Sequence, residues 1–343
     1  MNQRALSILR LLNDGQFQSG VSLARKLSCK RADISNALKN IDLYGIEIVK
    51  IRGQGYCWIN PIVYLNKDSI LRNSSINPRK LDIVLFDTLD STNTLLLNNL
   101  EREVADNNCV PVVATEYQTK GRGRAGRAWH SGFGDSLTFS FGWWFDQGVS
   151  ALSGLSLIIG IAVIRVLRSL SINCVRLKWP NDILFENKKL AGILIELRGE
   201  NLGPSHAVIG IGINFKLSEV IKSSINKEII DLSSISDVLF DRNQILSALL
   251  TEFLNILPIF RDYGFAYFKN EWISYHAFEG QVVSLILPNG NVVVGTVDGV
   301  WRRKLRIAYP HYGIFPETTP YSSTDDRNQP QFEPIQCRSH CCL

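Results

Sequence analysis

EYQTKGRGRAGRAW, residues 116–129, places three glycines and three arginines in the seven positions 121–127. Glycine gives up backbone entropy on folding, and arginines so close repel one another, so the run makes physical sense where an anion compensates. It lacks the GK[ST] of a P-loop and does not open a helix, so P-loop and Rossmann readings both fail. It lies between two apolar strand-like segments, VVATEYQTK and SLTFSFGWW, which weighs against an arginine–glycine segment for nucleic acid. Glycines let backbone N–H groups approach a ligand, and arginines meet phosphate or carboxylate bidentately. The stretch reads as an anion-binding loop set in an α/β scaffold.

Working outward, IVLFDTLDST, VRLKWPNDILF, KLAGILIEL and HAVIGIGINF also read as strands with polar residues at their ends, where chemistry collects. Helices are expected over about 150–170 and 241–263. KWPND (178–182) is a stiff turn whose Asn181 and Asp182 offer oxygen ligands to Mg²⁺ or a hydroxyl. KKLAG (188–192) sets Lys189 before a small-residue strand, solvated or held near a carboxylate or phosphate. Gly210 and Gly212 in IGIGINF mark close approach of a ligand or of backbone.

The first sixty residues have a different character. They carry nine Lys/Arg against four Asp/Glu, while the rest of the chain balances 28 against 28. The whole net charge of +5 therefore sits there. Apolar spacing predicts three helices: one carrying Leu6, Leu9 and Leu12, one over 19–27, and one over 31–45 with Ile34, Leu38 and Ile41 inward. EIVKIRGQGYCWIN then reads as a glycine-tipped hairpin. Three helices and a hairpin make a winged helix-turn-helix, with Arg31, Ser35, Asn36 and Lys39 placed to read DNA and Arg52 to touch phosphate.

The composition, 45% hydrophobic and 20% charged, is that of a globular protein. The most apolar stretch, 152–167, is short for a membrane span and contains an arginine, so a cytoplasmic protein without a membrane partner is expected. Cys29, Cys57, Cys109 and Cys174 are scattered singly, as reduced structural thiols are. Cys337, Cys341 and Cys342 crowd the end beside His340, in a spacing that matches no familiar zinc pattern.

DSTN (90–93), EYQTKGRGRAGRAW, KWPND, KKLAGIL and GIGIN, in this order and spacing, resemble the biotin protein ligase family. With the N-terminal unit, the likeness is to its bifunctional ligase–repressor branch and covers about residues 1–300. The resemblance implies an α+β protein. A winged helix-turn-helix (1–62) and a linker (63–80) would precede a class II synthetase-like α/β domain with a mixed sheet (81–272). An SH3-like barrel (273–320) and an irregular tail (321–343) would follow.

It also implies two-step acyl transfer. ATP and biotin, with Mg²⁺, give biotinyl-5′-AMP, and the biotinyl group passes to a lysine of the biotin carboxyl carrier protein of acetyl-CoA carboxylase. Ser91, Thr92, Asn93 and Gln118 would hold biotin, with Gly121 to Arg124 lining the pocket and Gly192 and Gly210 permitting close approach. Arg122, Arg124 and Lys189 would be the catalytic cations. Arg124, Arg127, Trp129, Asn181, Lys189, Gly212 and Asn214 would meet the nucleotide, and Asp182 the Mg²⁺. Operator DNA and a homodimer formed on binding biotinyl-AMP are the further partners implied. A catalytically impaired, mainly DNA-binding regulator is the alternative.

The sequence departs from the family pattern in four places. Ala125 stands where many relatives carry another arginine, and Lys30 stands at the helix start usually capped by serine. Ile229 or Ile230 takes the place of an aromatic residue over adenine. After Val300 the chain turns proline-rich, with five of its 12 prolines in 43 residues, which predicts an incomplete or altered barrel.

Overall fold

A computed structural model describes residues 1–72, 77, 80–103, 109–225, 228–286, 292–301, 304–308 and 331–334. At the N-terminus, α1 (Gln3–Leu11), α2 (Gly20–Lys26) and α3 (Arg31–Ala37) precede a hairpin of β1 (Ile48–Ile51) and β2 (Gly55–Trp58). The side chains of Asn2 and Ser19 cap α1 and α2. At α3, Lys30 offers no acceptor, and Asp33 compensates by accepting the Lys30 N–H at 3.0 Å. The expected single third helix over 31–45 is corrected. It ends at Ala37, Asn40 turns left-handed (φ 58°), and a separate 3₁₀ turn, Ile41–Tyr44, follows.

The expected linker is also corrected, since it contains helix α4 (Lys67–Arg72), whose Ile70 is fully buried. The chain continues through β3 (Leu81–Phe86), α5 (Thr92–Glu103), β4 (Val110–Thr115), β5 (Ser136–Phe145) and α6 (Leu155–Ser169). Next come β6 (Val175–Lys178), β7 (Asp182–Phe185), β8 (Lys188–Gly199) and β9 (Ser205–Asn214). The strand-like segment VRLKWPNDILF is an antiparallel pair of strands joined through the KWPND turn, with a cis Trp179–Pro180 bond. Seven strands form one mixed sheet in the order β3-β4-β5-β9-β8-β7-β6, with only β3–β4 parallel.

Alternation decides what each face of this sheet meets. On β9, Ala207, Ile209, Ile211 and Ile213 are buried in the main core with α6 and with α9 (Arg242–Tyr263), which α7 (Glu219–Ser224) and α8 (Leu232–Ile235) precede. Phe253 of α9 stacks on Phe141 of β5 at 4.9 Å. Helix α9 is, among the described residues, the one helix long and apolar enough to cross a membrane. Eleven of its residues are buried, so its apolar character belongs to this core. The other sheet face carries Val208 against Leu96 of α5 and, beside them, the glycines of the site.

Helix α10 (Lys269–Tyr275) runs past the expected domain boundary at 272. It leads to β10 (Val282–Ile286), β11 (Val292–Trp301), β12 (Lys304–Ala308) and β13 (Gln331–Pro334), a four-stranded antiparallel sheet in the order β12-β11-β10-β13. The tail expected to be irregular over 321–343 thus contributes a strand at the free edge of β10. Cys337, His340, Cys341 and Cys342 lie outside the described residues.

The N-terminal unit docks on the sheet domain. Phe133 joins the N-terminal core beside Trp58, and its N–H donates to the Tyr44 carbonyl at 2.8 Å. Tyr44 meets Tyr117 edge-on at 5.3 Å, and Arg10 of α1 forms an ion pair with Asp87.

Candidate functional site

One cleft on the glycine-bearing sheet face gathers every residue expected at the ligand site except Gly121. Its polar end is built by the start of α5. Thr92 donates through its N–H (2.8 Å) and its hydroxyl (3.2 Å) to Gln118 Oε1. Ser140, fully buried on β5, stands 2.6 Å from both Thr92 Oγ1 and Asn93 Oδ1. Ser91, Thr92, Asn93 and Gln118 are all buried, so these groups are held in place rather than solvated. Ser140 and Thr138 were missed by sequence reasoning, although the alternation of Ser136, Thr138 and Ser140 with Leu137, Phe139 and Phe141 marked them as one face.

The loop over 121–129 closes on itself. Trp129 N–H donates to the Gly121 carbonyl (2.9 Å), Gly123 N–H to Arg127 (2.6 Å), and Arg122 bridges Ala128. Gly121 lies at this neck and not in the cleft wall. A Cβ there would come within 2.5 Å of the Trp129 carbonyl. A short 3₁₀ turn, Arg124–Gly126, crosses the tip, with Ala125 left-handed at φ 54°.

Each cation beside the cleft has a partner. Lys189 Nζ lies 2.6 Å from Asp182 Oδ1 and 5.6 Å from the Trp129 ring centre. Arg124 donates to Asn181 Oδ1 at 3.3 Å, and Arg122 forms a bidentate pair with Glu196 at 2.9 and 2.6 Å. Arg127 lines the cleft and donates to the Arg124 carbonyl.

Lys189 and Gly192 share this face although three residues apart. Register runs Asp182↔Gly192 and Ile183↔Ala191, then shifts to Leu184↔Lys189. The extra residue Leu190 is a β-bulge that reverses the alternation. Asn214 donates its amide to the carbonyls of Lys189 (3.2 Å) and Ile230 (3.0 Å) and pins that segment.

The reason given for the strand glycines is corrected in part. They are overlaid by this chain's own side chains. A Cβ at Gly210 would lie 2.1 Å from Asn93 Oδ1, and one at Gly212 would lie 2.5 Å from two Trp129 ring carbons. At Gly192 it would meet Lys189 and Trp129 at 3.1–3.3 Å. Trp129 Nε1 is buried without a hydrogen-bond partner, a donor suited to an acceptor on a ligand. Ile225 also lines the cleft, and of the two isoleucines expected near adenine only Ile229 does so.

Asp182, expected to meet Mg²⁺, lines the cleft beside Lys189. Its Oδ1 is taken by Lys189, and among the described residues no group of three His, Cys, Asp or Glu side chains could hold an ion. Behind the cleft, burial pushes the Asp135 carboxyl up to about 6, against the opposing pull of the Gly132 N–H and Ser136 hydroxyl. Arg31, Ser35, Asn36, Lys39 and Arg52 are exposed on the N-terminal unit, outside this cleft.

A buried polar cradle beside four cations, on a mixed sheet floored with glycines, suits a small ligand that carries both polar groups and an anion. The sequence model of the biotin/lipoate A/B protein ligase family matches residues 85–214. The bifunctional ligase/repressor BirA of Escherichia coli is 36% identical over 289 residues, 83% of this chain and 86% of that protein. Its Bacillus subtilis counterpart is 28% identical, over 76% and 79%. The biotin protein ligase of Aquifex aeolicus, solved with biotin and ATP, superposes with a TM-score of 0.59 at 26% identity, covering 74% of this chain and 99% of that one. This chain belongs to the family of bifunctional biotin ligase/repressors.

Proposed function

We propose that this chain is an ATP-dependent biotin protein ligase that also represses transcription in response to its own intermediate. The carrying observation is the convergence of Lys189, Arg122 and Arg124 on one cleft that also holds the buried Thr92–Gln118 pair, backed by Ser140. In the first step a carboxylate oxygen of biotin attacks the α-phosphorus of ATP. The bond to the β-phosphate breaks, pyrophosphate leaves, and biotinyl-5′-AMP forms. In the second, a carrier lysine amine attacks the acyl carbon and AMP leaves with the bonding pair. Carboxylate and triphosphate repel each other, so cations fixed between them lower the barrier.

In this reading Thr92, Gln118, Ser91 and Asn93 orient the ureido ring, with Gly192 and Gly210 beneath their neighbours. Lys189, Arg122 and Arg124 neutralise the carboxylate and α-phosphate. Trp129, Arg127, Asn181 and Asn214 shape the nucleotide side around Gly212. The loop over 121–129 covers the anhydride and keeps water out. Mg²⁺ is carried in by the nucleotide's own phosphates, as is usual for ATP.

The acceptor is the biotin carrier of acetyl-CoA carboxylase, and the setting the cytoplasm. The N-terminal unit (1–62) serves as a winged helix-turn-helix whose Arg31, Ser35, Asn36 and Lys39 face operator DNA, with Arg52 on phosphate. The C-terminal four-stranded sheet is an altered SH3-like module, and liganded copies pair as a homodimer. The reading is tested by ATP–pyrophosphate exchange. Exchange that depends on biotin and not lipoate supports it, and absence of exchange while DNA binding still responds to biotinyl-AMP would favour an impaired regulator. Operator affinity should also fall steeply with salt.

A further inference from the structure

Glu196 is absent from the cleft wall, yet two residues of that wall end on it. Arg122 meets it bidentately at 2.6 and 2.9 Å. Asn93 donates its amide to the same Oε2 at 2.8 Å and to the Leu194 carbonyl at 3.3 Å. The geometry has three further features. Arg122 is the loop residue whose backbone bridges Ala128, so fixing its side chain fixes the neck of the loop. Asn93 fills the space above Gly210 and touches Ser140, so fixing its amide fixes the cradle. Lastly, β8 supplies both Glu196 and Lys189, so a single strand sets the loop and the lysine at a constant separation.

From these contacts we infer that Glu196 is a positioning residue for the ligase reaction: its carboxylate holds Arg122 and Asn93 in place, tying the covering loop to the cradle. The inference rests on the ligase reading for its kinetic consequence, but its structural core can be tested without it. An exposed ion pair contributes little. This one lies at the rim of the cleft (side chains 41% and 26% exposed), where solvent screens it, but it is bidentate and shares its carboxylate with the part-buried Asn93 amide, which sets it apart from a lone surface pair. Without the carboxylate, Arg122 is a long flexible cation on a glycine-flanked loop, and the loop loses its anchor at that side.

The variants are Glu196→Gln, which removes the charge at constant shape, and Glu196→Asp, which keeps the charge on a shorter arm. Limited trypsin digestion of the ligand-free protein reads the anchor directly. Cleavage within 122–127 should run about tenfold faster in Glu196→Gln, the scale of one lost charge-assisted bond, and less so in Glu196→Asp. Unchanged cleavage overturns the inference whatever the enzyme's activity. In an active protein, Glu196→Gln should release biotinyl-AMP about tenfold faster and raise the KM for biotin more than it lowers kcat. In an Arg122→Ala background, Glu196→Gln should add clearly less to adenylate release than it does in the wild type, the remainder being the share carried by Asn93. Additive effects would mean that Glu196 acts elsewhere and would also overturn the inference. A wild-type protein without biotin-dependent exchange would count against the ligase reading alone, and the digestion result would still stand. Should Glu196→Gln fail to fold, the same comparisons are made with Glu196→Asp, whose intermediate values are the expected result.

Discussion

At Gly212 the absence of a side chain is required by a neighbour on the same chain. Trp129 lies where a Cβ would stand, at 2.5 Å. Gly212→Ala should destabilise by about 1–3 kcal/mol through overpacking, read from the urea midpoint, and shift the tryptophan emission. Combining it with Trp129→Leu should recover most of the stability. Asp135 makes a different prediction. Its folded-state carboxyl titrates near 6, above the ordinary 3.8. The folded protein therefore binds this proton more tightly than the unfolded chain does. The resulting stability is present in full below the ordinary value and lost as pH rises to the folded value and beyond. Between pH 4 and 6.5 the wild type should lose about 2 kcal/mol relative to Asp135→Asn, at about 1.4 kcal/mol per unit. Parallel urea titrations of the two would show no divergence if burial did not act on this group.

At the scale of elements, helix α9 is fastened at its start by a buried charge. Arg242 pairs with Glu116 at 2.6 Å, both side chains 3% exposed, and donates to the carbonyls of Ser136 and Val63. Removing one member of such a pair leaves the other charged and dry. Arg242→Met should therefore cost about 3–5 kcal/mol, and Arg242→Met/Glu116→Gln distinctly less. Chemical denaturation of both variants decides it, since equal losses would contradict the pairing. The same scale shows why part of the site was hidden in the sequence. The strand SLTFSFGWW and the helices α6 and α9 were legible, but the face shared by Ser136, Thr138 and Ser140, although alternation marks it, was not read as part of the site. The one-residue bulge at Leu190 has no local signature, because KKLAGIL alternates plausibly with or without it. The bulge turns Lys189 towards Gly192. The break in the third helix was hidden for a similar reason: Leu38 and Ile41 keep helical spacing across the left-handed Asn40.

At the scale of the whole molecule, the N-terminal unit is not an independent bead. Phe133 is buried at 3% exposure within that unit's core, although it follows the arginine–glycine loop in sequence. Phe133→Ala should cost about 3–5 kcal/mol. Because the lost contacts lie between the units, calorimetry should resolve a separate, earlier transition for the N-terminal unit. A single transition, merely lowered, would show the coupling to run through the Arg10–Asp87 and Tyr44–Tyr117 contacts instead. At the opposite end, proline density and poor alternation after Val300 pointed to an open barrel. The pairing of Gln331–Pro334 with β10 could not be foreseen, because its partner lies 45 or more residues earlier.

Local chemistry was enough to mark candidate residues. Glycine spacing, clustered arginines, polar strand ends and the lopsided charge of the first sixty residues are properties of short segments, and they singled out the loop and the cations, while Ser91, Thr92 and Gln118 came from the resemblance that the ordered motifs carry. Which group faces which was decided only by the tertiary structure. The pairing of Arg122 with Glu196, of Lys189 with Asp182, and of Gly212 with Trp129 depends on sheet register and on one bulge. Register is a non-local property: a shift of one residue reverses every side chain on a strand, and no short stretch records it.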